Sequence, residues 1–138
     1  MRLNSYITFN GNCEDAMNFY KDIFDGEFTT YMRFHEAPGD AFPVPDFAKD
    51  LVMHCTLEFS DCTLMASDTL NGDELKVGTN ISLSINAAEN EAASIYNSLL
   101  EGGQSLMPFE DAFWGGKFGI IRDKFGIQWM VSSEHKPA

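Results

Sequence analysis

The sequence predicts an α+β fold in which two βαβββ modules form a cup-shaped mixed sheet with the helices on its outer face. Three observations support this prediction. A segment of alternating polarity is followed by an amphipathic helix, the same pair recurs later with Tyr20 matched by Tyr96, and the apolar period falls to two after each helix. The length of 138 residues favours one domain over 1–138, with pseudo-repeat modules at 1–69 and 79–133 joined by 70–78.

The first module opens with a half-buried strand over residues 3–9. Apolar residues at helical spacing over residues 16–24 then predict a helix, and Asn12 is expected to cap its start. Alternation resumes over residues 27–35, 51–59 and 62–68, which predicts three further strands. The first module therefore has the element order βαβββ.

The second module repeats this order. A strand ends near residue 85, Asn86 is expected to cap the helix that follows, and strands are predicted over 104–107, 113–123 and 127–133. Residues 36–50 form the one long irregular stretch and contain Pro38, Pro43 and Pro45. A stretch of this kind is either a lid over a pocket or a surface connection, and the sequence favours neither.

Charge and cysteine content exclude several classes of protein. The sequence contains nine basic and 21 acidic residues, and the formal charge of −12 argues against nucleic acid and anionic membranes as partners. The same charge favours neutral or cationic ligands. Three cysteines without a C-x-x-C spacing favour reduced thiols over a disulfide framework or a zinc site. The sequence shows neither a signal peptide nor a membrane-spanning stretch, so we expect a cytoplasmic protein.

The strand faces opposite the helices are expected to line the cup. Polar side chains on these faces indicate a wet concave surface, which is a candidate ligand site. Alternation places on this face Asn4, Tyr6, Thr8, His54, Thr56, Met65, Ser67, Asn80, Ser82, Gln128 and Met130.

A few further side chains carry chemistry, and each has two interpretations. His54 is either a general base or ligand hydrogen-bonding group, or a core histidine with satisfied hydrogen bonds. Glu58 is either a base or a carboxylate on a solvated rim, and Asp68 is a second strand-end carboxylate expected on that rim. Arg33 either clamps an anionic ligand or pairs with one of the many acidic residues. Trp114 either walls the pocket or belongs to the core or to an interface.

The sequence resembles the PhnB-like branch of the vicinal-oxygen-chelate superfamily, a branch also described as 3-demethylubiquinone methyltransferase-like. The resemblance covers nearly the whole chain. It is carried by YITFNGNCE at 6–14, VMH at 52–54, LMASD at 64–68, FWGGKFG at 113–119, DKFG at 123–126 and WM at 129–130. It implies the paired βαβββ fold and a homodimer.

The resemblance also implies where superfamily members hold a divalent metal. Those positions map here to Asn4, Asn80, Met65 and Met130, and amide oxygens with thioethers are poor ligands for such ions. We therefore expect no metal. We also expect no cofactor, because no glycine-rich loop that would hold S-adenosylmethionine opens either predicted helix.

These observations favour a metal-free protein that binds a small molecule. The alternative is a metal-independent lyase or isomerase that uses His54 or Glu58 as its base, with the substrate in the cup. In a third interpretation side chains fill the cup and the chain is a structural or interaction module. Ligand identity is not determined by the sequence.

Overall fold

The computed structural model describes residues 1–38 and 43–134, and these residues form two compact units that divide between Lys76 and Val77. The boundary lies inside the predicted connection 70–78. Unit 1 contains β1 (Ser5–Phe9), α1 (Cys13–Phe24), β2 (Glu27–Arg33), β3 (Val52–Phe59) and β4 (Cys62–Asp68). Unit 2 contains β5 (Leu83–Ala87), α2 (Glu89–Leu100), β6 (Gln104–Asp111), β7 (Lys117–Arg122) and β8 (Gln128–Ser133).

Each unit has one four-stranded mixed sheet with the same topology. The strand order is β1-β4-β3-β2 in unit 1 and β5-β8-β7-β6 in unit 2. The first strand of each unit runs parallel to the last, and the other pairs are antiparallel. The predicted α+β class with two βαβββ modules is confirmed.

The core of unit 1 lies between α1 and one face of its sheet. Helical spacing brings Ala16, Met17 and Tyr20 onto the buried side of α1, which lies against β3 and β4. On β3, Cys55 and Leu57 are buried, whereas His54, Thr56 and Glu58 are more exposed. This alternation is the one that the sequence predicts, and it leaves the opposite face of the sheet polar.

A buried carboxylate holds the start of α1. Asn12 occupies the N-cap position, but its side chain makes no capping hydrogen bond. Instead, Asp68 is only 4% exposed and its Oδ1 accepts hydrogen bonds from the backbone N–H groups of Gly11 at 2.9 Å and Cys13 at 3.0 Å. Its Oδ2 accepts one from the N–H of Val52 at 3.0 Å. The interpretation of Asp68 as a solvated rim carboxylate is therefore wrong.

Unit 2 has a similar core and its own buried carboxylate. α2 lies against all four strands of its sheet, and Trp129 is the largest of the fully buried side chains. Asp123 Oδ1 accepts hydrogen bonds from the N–H groups of Phe125 at 2.8 Å and Ile127 at 3.0 Å. Its Oδ2 accepts one from Trp129 Nε1 at 2.9 Å, so Asp123 fixes the turn that leads into β8.

The repeat departs from a constant offset at the strand that opens unit 2. The helices start at Cys13 and Glu89, which keeps the offset of 76, whereas the first strands start at Ser5 and Leu83, an offset of 78. Asn86 therefore lies within β5 and donates a hydrogen bond to Ser132 Oγ at 2.9 Å, so the prediction that it caps α2 is wrong. A two-residue slip is even, and the polar and apolar faces of the strand are preserved.

Two other segments differ from the prediction or lie partly outside the described structure. β7 begins at Lys117 rather than at residue 113, because residues 112–116 form a turn in which Gly115 and Gly116 have φ values of 102° and 70°. Within the 36–50 segment, Asp46–Ala48 form one turn of 3₁₀ helix. Residues 39–42 lie outside the described residues, so the choice between a lid and a surface connection stays open.

No helix among the described residues is both long enough and apolar enough to cross a bilayer.

Candidate functional site

The polar side of the unit 1 sheet carries most of the predicted ligand residues of this unit, and we call it the first polar face. Tyr6 lies opposite Met65 on β4, which in turn lies opposite Thr56 on β3, and Thr8 lies opposite Ser67. Residues that pair across neighbouring strands project to the same side of a sheet, so the register brings these side chains together. The first polar face is formed by Tyr6, Thr8, His54, Thr56, Met65 and Ser67.

His54 lies at the centre of a hydrogen-bonded group on this face. Its Nδ1 is 3.1 Å from the Tyr6 hydroxyl and its Nε2 is 3.0 Å from the Thr56 hydroxyl. The centroids of the Tyr6 and His54 rings are 5.6 Å apart. A neutral imidazole has one donor and one acceptor nitrogen, so one hydroxyl accepts a hydrogen bond from the ring and the other donates one. His54 is half-buried with both nitrogens engaged, which positions its ring on the face.

A cleft of about 540 Å³ lies at one end of the first polar face. It lies between the residues that lead into β1 and the hairpin that joins β3 to β4. Glu58 pairs with Thr63 in this hairpin, and it follows Thr56 by two positions, which places it on the same side of β3 as His54. The cleft is lined by Arg2, Leu3, Asn4, Ser5, Glu58, Ser60, Asp61, Cys62 and Thr63.

The cleft has a polar and slightly acidic lining. The carboxylates of Glu58 and Asp61 outnumber the single guanidinium, that of Arg2. Amide and hydroxyl groups from Asn4 and Thr63 add neutral hydrogen-bonding capacity. This lining suits a neutral or cationic polar molecule better than an anion.

Arg33 is held by the start of α1 and is not part of the His54 group. Its guanidinium is 2.6 Å from Glu14 Oε2 and also donates a hydrogen bond to the carbonyl of Asp50 at 2.8 Å. The same group lies 5.3 Å from the centroid of the Tyr31 ring. The hydrogen bond from Arg33 lowers the pKa of Glu14 from its ordinary value. Of the two interpretations of Arg33, the structure shows the pair with an acidic residue.

The unit 2 sheet has a second polar face, on which Ser84 lies opposite Met130. Gln128 is already paired on this side. Its Nε2 donates a hydrogen bond to Ser82 Oγ at 2.8 Å, and its Oε1 accepts one from Arg122 at 3.3 Å. The polar groups of Gln128 therefore already have hydrogen-bond partners within this unit.

Three predicted site residues of unit 2 lie outside its strands, and one of them, Ser82, directly precedes β5. Asn80 is exposed and precedes β5. Trp114 lies in the turn before β7, is 56% exposed, and contacts Phe113 and Phe118 edge-on at centroid distances of 4.8 and 5.5 Å. The interpretation of Trp114 as a core residue is wrong, because more than half of its surface meets solvent.

The positions to which the resemblance maps the superfamily's metal ligands carry only neutral side chains in this chain. Asn4 and Met65 occupy them in unit 1, and Asn80 and Met130 in unit 2. Neutral amide oxygens and thioethers supply neither the charge nor the basicity that such ions require. Among residues 1–38 and 43–134, no group of three or more His, Cys, Asp or Glu side chains is placed to hold a metal.

The hairpin part of the cleft was not identified from the sequence. Ser60 and Asp61 are recognisable there as a short turn, but nothing in the sequence indicates that Arg2 lies beside them. That proximity follows from the parallel pairing of β1 with β4, which joins segments more than fifty residues apart. Sequence alternation predicts which side a residue faces and not which strand lies beside it.

Residues 2–132 match the family described as 3-demethylubiquinone-9 3-methyltransferase. The chain belongs to this family. The match covers both units, and it confirms the resemblance to the PhnB-like branch.

Individual relatives agree with this assignment. Protein YjdN of Escherichia coli is 27% identical over 140 residues, which cover 96% of this chain and 95% of that protein. The solved structure of PA1353 from Pseudomonas aeruginosa is 33% identical, with a TM-score of 0.85 and 99% of each chain covered. A PhnB protein from Bacillus cereus, described as a putative 3-demethylubiquinone-9 3-methyltransferase, is 25% identical, with a TM-score of 0.79 and coverage of 97% and 100%. The fold is that of the vicinal-oxygen-chelate superfamily.

Proposed function

We propose that this family member binds a small neutral or cationic molecule on the first polar face, with part of the ligand in the adjoining cleft. The observation that carries the proposal is the cleft of about 540 Å³ lined by Glu58, which lies two residues after Thr56 of the His54 group on the same side of β3. This volume lies within the range of small-molecule sites, about 300–1,000 Å³. The net charge of −12 favours ligands that are not anionic.

Binding accounts for His54 better than catalysis does. A general base needs a free nitrogen within reach of the substrate proton. Both ring nitrogens of His54 already have hydroxyl partners, from Tyr6 and Thr56. A positioned imidazole between two hydroxyls presents a fixed pattern of hydrogen-bonding groups, which is what selective recognition of a polar ligand requires. The alternative of a metal-independent lyase or isomerase would need His54 to exchange one of these partners for substrate, or Glu58 to act as the base.

We do not propose the methyltransferase activity that the family's description names. Transfer of a methyl group needs a site for S-adenosylmethionine, commonly a glycine-rich loop whose backbone N–H groups are free at a helix start. At the start of α1, the N–H groups of Gly11 and Cys13 are both bound by Asp68. The residues at this helix start therefore do not fit that cofactor.

Ligand binding is tested by thermal shift with a panel of neutral and cationic small molecules. At a ligand concentration of 100 times its Kd, binding stabilises the folded protein by about 2.7 kcal/mol, which gives a clear rise in melting temperature. We expect His54→Ala to weaken binding at least tenfold. Asn18→Ala is the matched control, because Asn18 is an exposed polar residue of α1, on the opposite side of the same sheet, and it should leave the affinity unchanged.

Three results would count against this site. They are the absence of any shift across the panel, equal loss in the two variants, and unchanged affinity in His54→Ala. Turnover of a bound compound that disappears in His54→Ala or Glu58→Gln, with affinity retained, would favour the enzyme alternative.

The metal-free character and the oligomeric state are part of the same proposal. Native mass spectrometry of protein purified without chelator, together with elemental analysis, measures both. We expect a homodimer without a stoichiometric divalent metal, in the cytoplasm of the cell. One divalent ion bound per chain would contradict the expectation that amide and thioether groups do not hold such an ion.

A further inference from the structure

Two cysteine thiols meet in the core of unit 1. Cys13 and Cys55 are both 0% exposed, and their Sγ atoms are 4.0 Å apart, within hydrogen-bond distance for sulfur. They belong to different elements, since Cys13 is the first residue of α1 and Cys55 lies in the middle of β3. The candidate ligand site uses neither side chain.

The backbone around the pair is held in place on both sides. Asp68 binds the N–H of Cys13 and, through its other oxygen, the N–H of Val52 at the start of β3. Cys55 pairs with Tyr31 on β2 and Ala66 on β4, so it lies in a central strand of the sheet. The two sulfur atoms therefore face each other because of fixed elements and not because of a mobile loop.

The thiol–thiol hydrogen bond makes the two cysteines unequal. It raises the pKa of Cys13, and burial acts in the same direction. The same bond lowers the pKa of Cys55, because the Cys13 thiol donates to the Cys55 thiolate.

We propose that Cys13 and Cys55 form a reversible internal disulfide when the protein meets a small disulfide oxidant such as glutathione disulfide. A disulfide needs the sulfur atoms to approach to about 2.05 Å, so the present separation of 4.0 Å closes by about 2 Å through side-chain rotation and a small shift of α1. Because neither thiol is exposed, the reaction proceeds through local opening at the start of α1.

The reaction is a two-step thiol–disulfide exchange. One of the two cysteines attacks, as its thiolate, one sulfur of glutathione disulfide, and one glutathione leaves as its thiolate. The other cysteine then loses its proton and attacks the protein sulfur of this mixed disulfide, and the second glutathione leaves. The two protein thiols give up two electrons and two protons, and glutathione disulfide takes them up to become two molecules of glutathione.

The disulfide would act on the strand that carries the candidate ligand residues. Cys55 lies between His54 and Thr56 in β3 and projects to the opposite side. A bond at Cys55 ties this part of β3 covalently to α1. Oxidation would then stiffen the sheet directly behind the first polar face.

The test uses Cys62→Ser, because Cys62 is exposed and would otherwise react first. Folded protein is incubated with glutathione disulfide, and exchange is then stopped with acid. The protein is unfolded in urea, its free thiols are alkylated with iodoacetamide at mildly alkaline pH, and its intact mass is measured. We expect a product without alkyl groups or glutathione, lighter by about 2 Da than the reduced protein. Its melting temperature should lie several degrees above that of the reduced protein, because the new bond closes a long loop.

The double variant Cys62→Ser/Cys55→Ser is the matched control, since it retains one thiol and has no internal partner for it. It should gain one alkyl group or one glutathione and show no rise in melting temperature. If it does not fold by near-ultraviolet circular dichroism, Cys62→Ser/Cys13→Ala replaces it. The proposal is overturned if folded Cys62→Ser still takes two alkyl groups after oxidation, or if it carries glutathione without closing the disulfide.

Discussion

Asp68 is a single side chain on which three backbone groups depend. The N–H groups of Gly11, Cys13 and Val52 all donate to its carboxylate, and Asp68 itself is 4% exposed. Backbone donors buried without a partner are costly, so this carboxylate determines how α1 and β3 begin.

We expect Asp68→Ala to lower the free energy of unfolding by at least about 3 kcal/mol, because it leaves up to three buried donors unsatisfied. Urea unfolding followed by circular dichroism measures this loss. Asp22→Ala, at an exposed position of α1, removes the same charge and should change the value by no more than about 0.5 kcal/mol. Similar values for both variants would show that water or another side chain replaces Asp68.

The Arg33–Glu14 pair makes a small and pH-dependent contribution. Arg33 lowers the pKa of Glu14 in the folded protein. Stability from such a group is present above the unfolded pKa, about 4.3 for Glu, and is lost as the pH falls through the folded value. Because the Glu14 side chain is 45% exposed, solvent screening limits the contribution to about 0–1 kcal/mol.

We therefore expect Glu14→Gln to be slightly less stable than the parent protein at pH 7 and equally stable near about pH 2. Urea unfolding at both pH values measures this difference. Asp15→Asn removes a charge from the same helical turn and controls for the helix dipole. A difference that persists unchanged at low pH would contradict the assignment to the ion pair.

At the scale of elements, the contact between α2 and β7 depends on the absence of a side chain at Gly119. A Cβ at Gly119 would lie 2.6 Å from Tyr96 Cε2 and 3.1 Å from the carbonyl oxygen of Met107. The Tyr96 hydroxyl bonds that same carbonyl at 3.1 Å, and also Ser105 Oγ at 2.7 Å, so the ring cannot move away freely.

We expect Gly119→Ala to destabilise the protein by about 1–3 kcal/mol through overpacking, although alanine suits a strand better than glycine. Chemical unfolding again supplies the value. Gly78→Ala is the matched control, because the nearest atom to its added Cβ, Asn80 Oδ1, is 3.4 Å away. Equal effects in the two variants would exclude the contact with Tyr96 as the cause.

The order of elements was predictable from the sequence, and some boundaries were not. Helical spacing located α1 and α2, and alternation located the strands. The end of β5 lies two residues beyond the predicted one, because an amphipathic pattern does not show where hydrogen bonding to β8 ends. Trp114 was assigned to a strand because aromatic residues favour strands, and the glycine turn at Gly115 and Gly116 overrides that preference.

At the scale of the whole molecule, the excess of acidic residues opposes folding. A net charge of −12 on 138 residues produces repulsion that is larger in the compact state than in the unfolded chain. We expect the melting temperature to rise when sodium chloride increases from about 10 mM to about 300 mM, because the Debye length falls from about 30 Å to less than 10 Å. Differential scanning calorimetry measures this change. A fall over the same range would mean that attractive ion pairs dominate.

The sequence by itself determined the fold class, the two modules and the side of the sheet to which His54, Thr56 and Met65 project. These properties follow from periodicity, which is local and can be read along the chain. Tertiary structure decided that Tyr6 bonds His54, that Arg33 pairs with Glu14, and that Asp68 is buried. It also brought Cys13 to Cys55 and the segment before β1 to the β3–β4 hairpin. Each of these contacts joins residues distant in sequence, and strand pairing and helix packing select such partners without a signal in the local pattern.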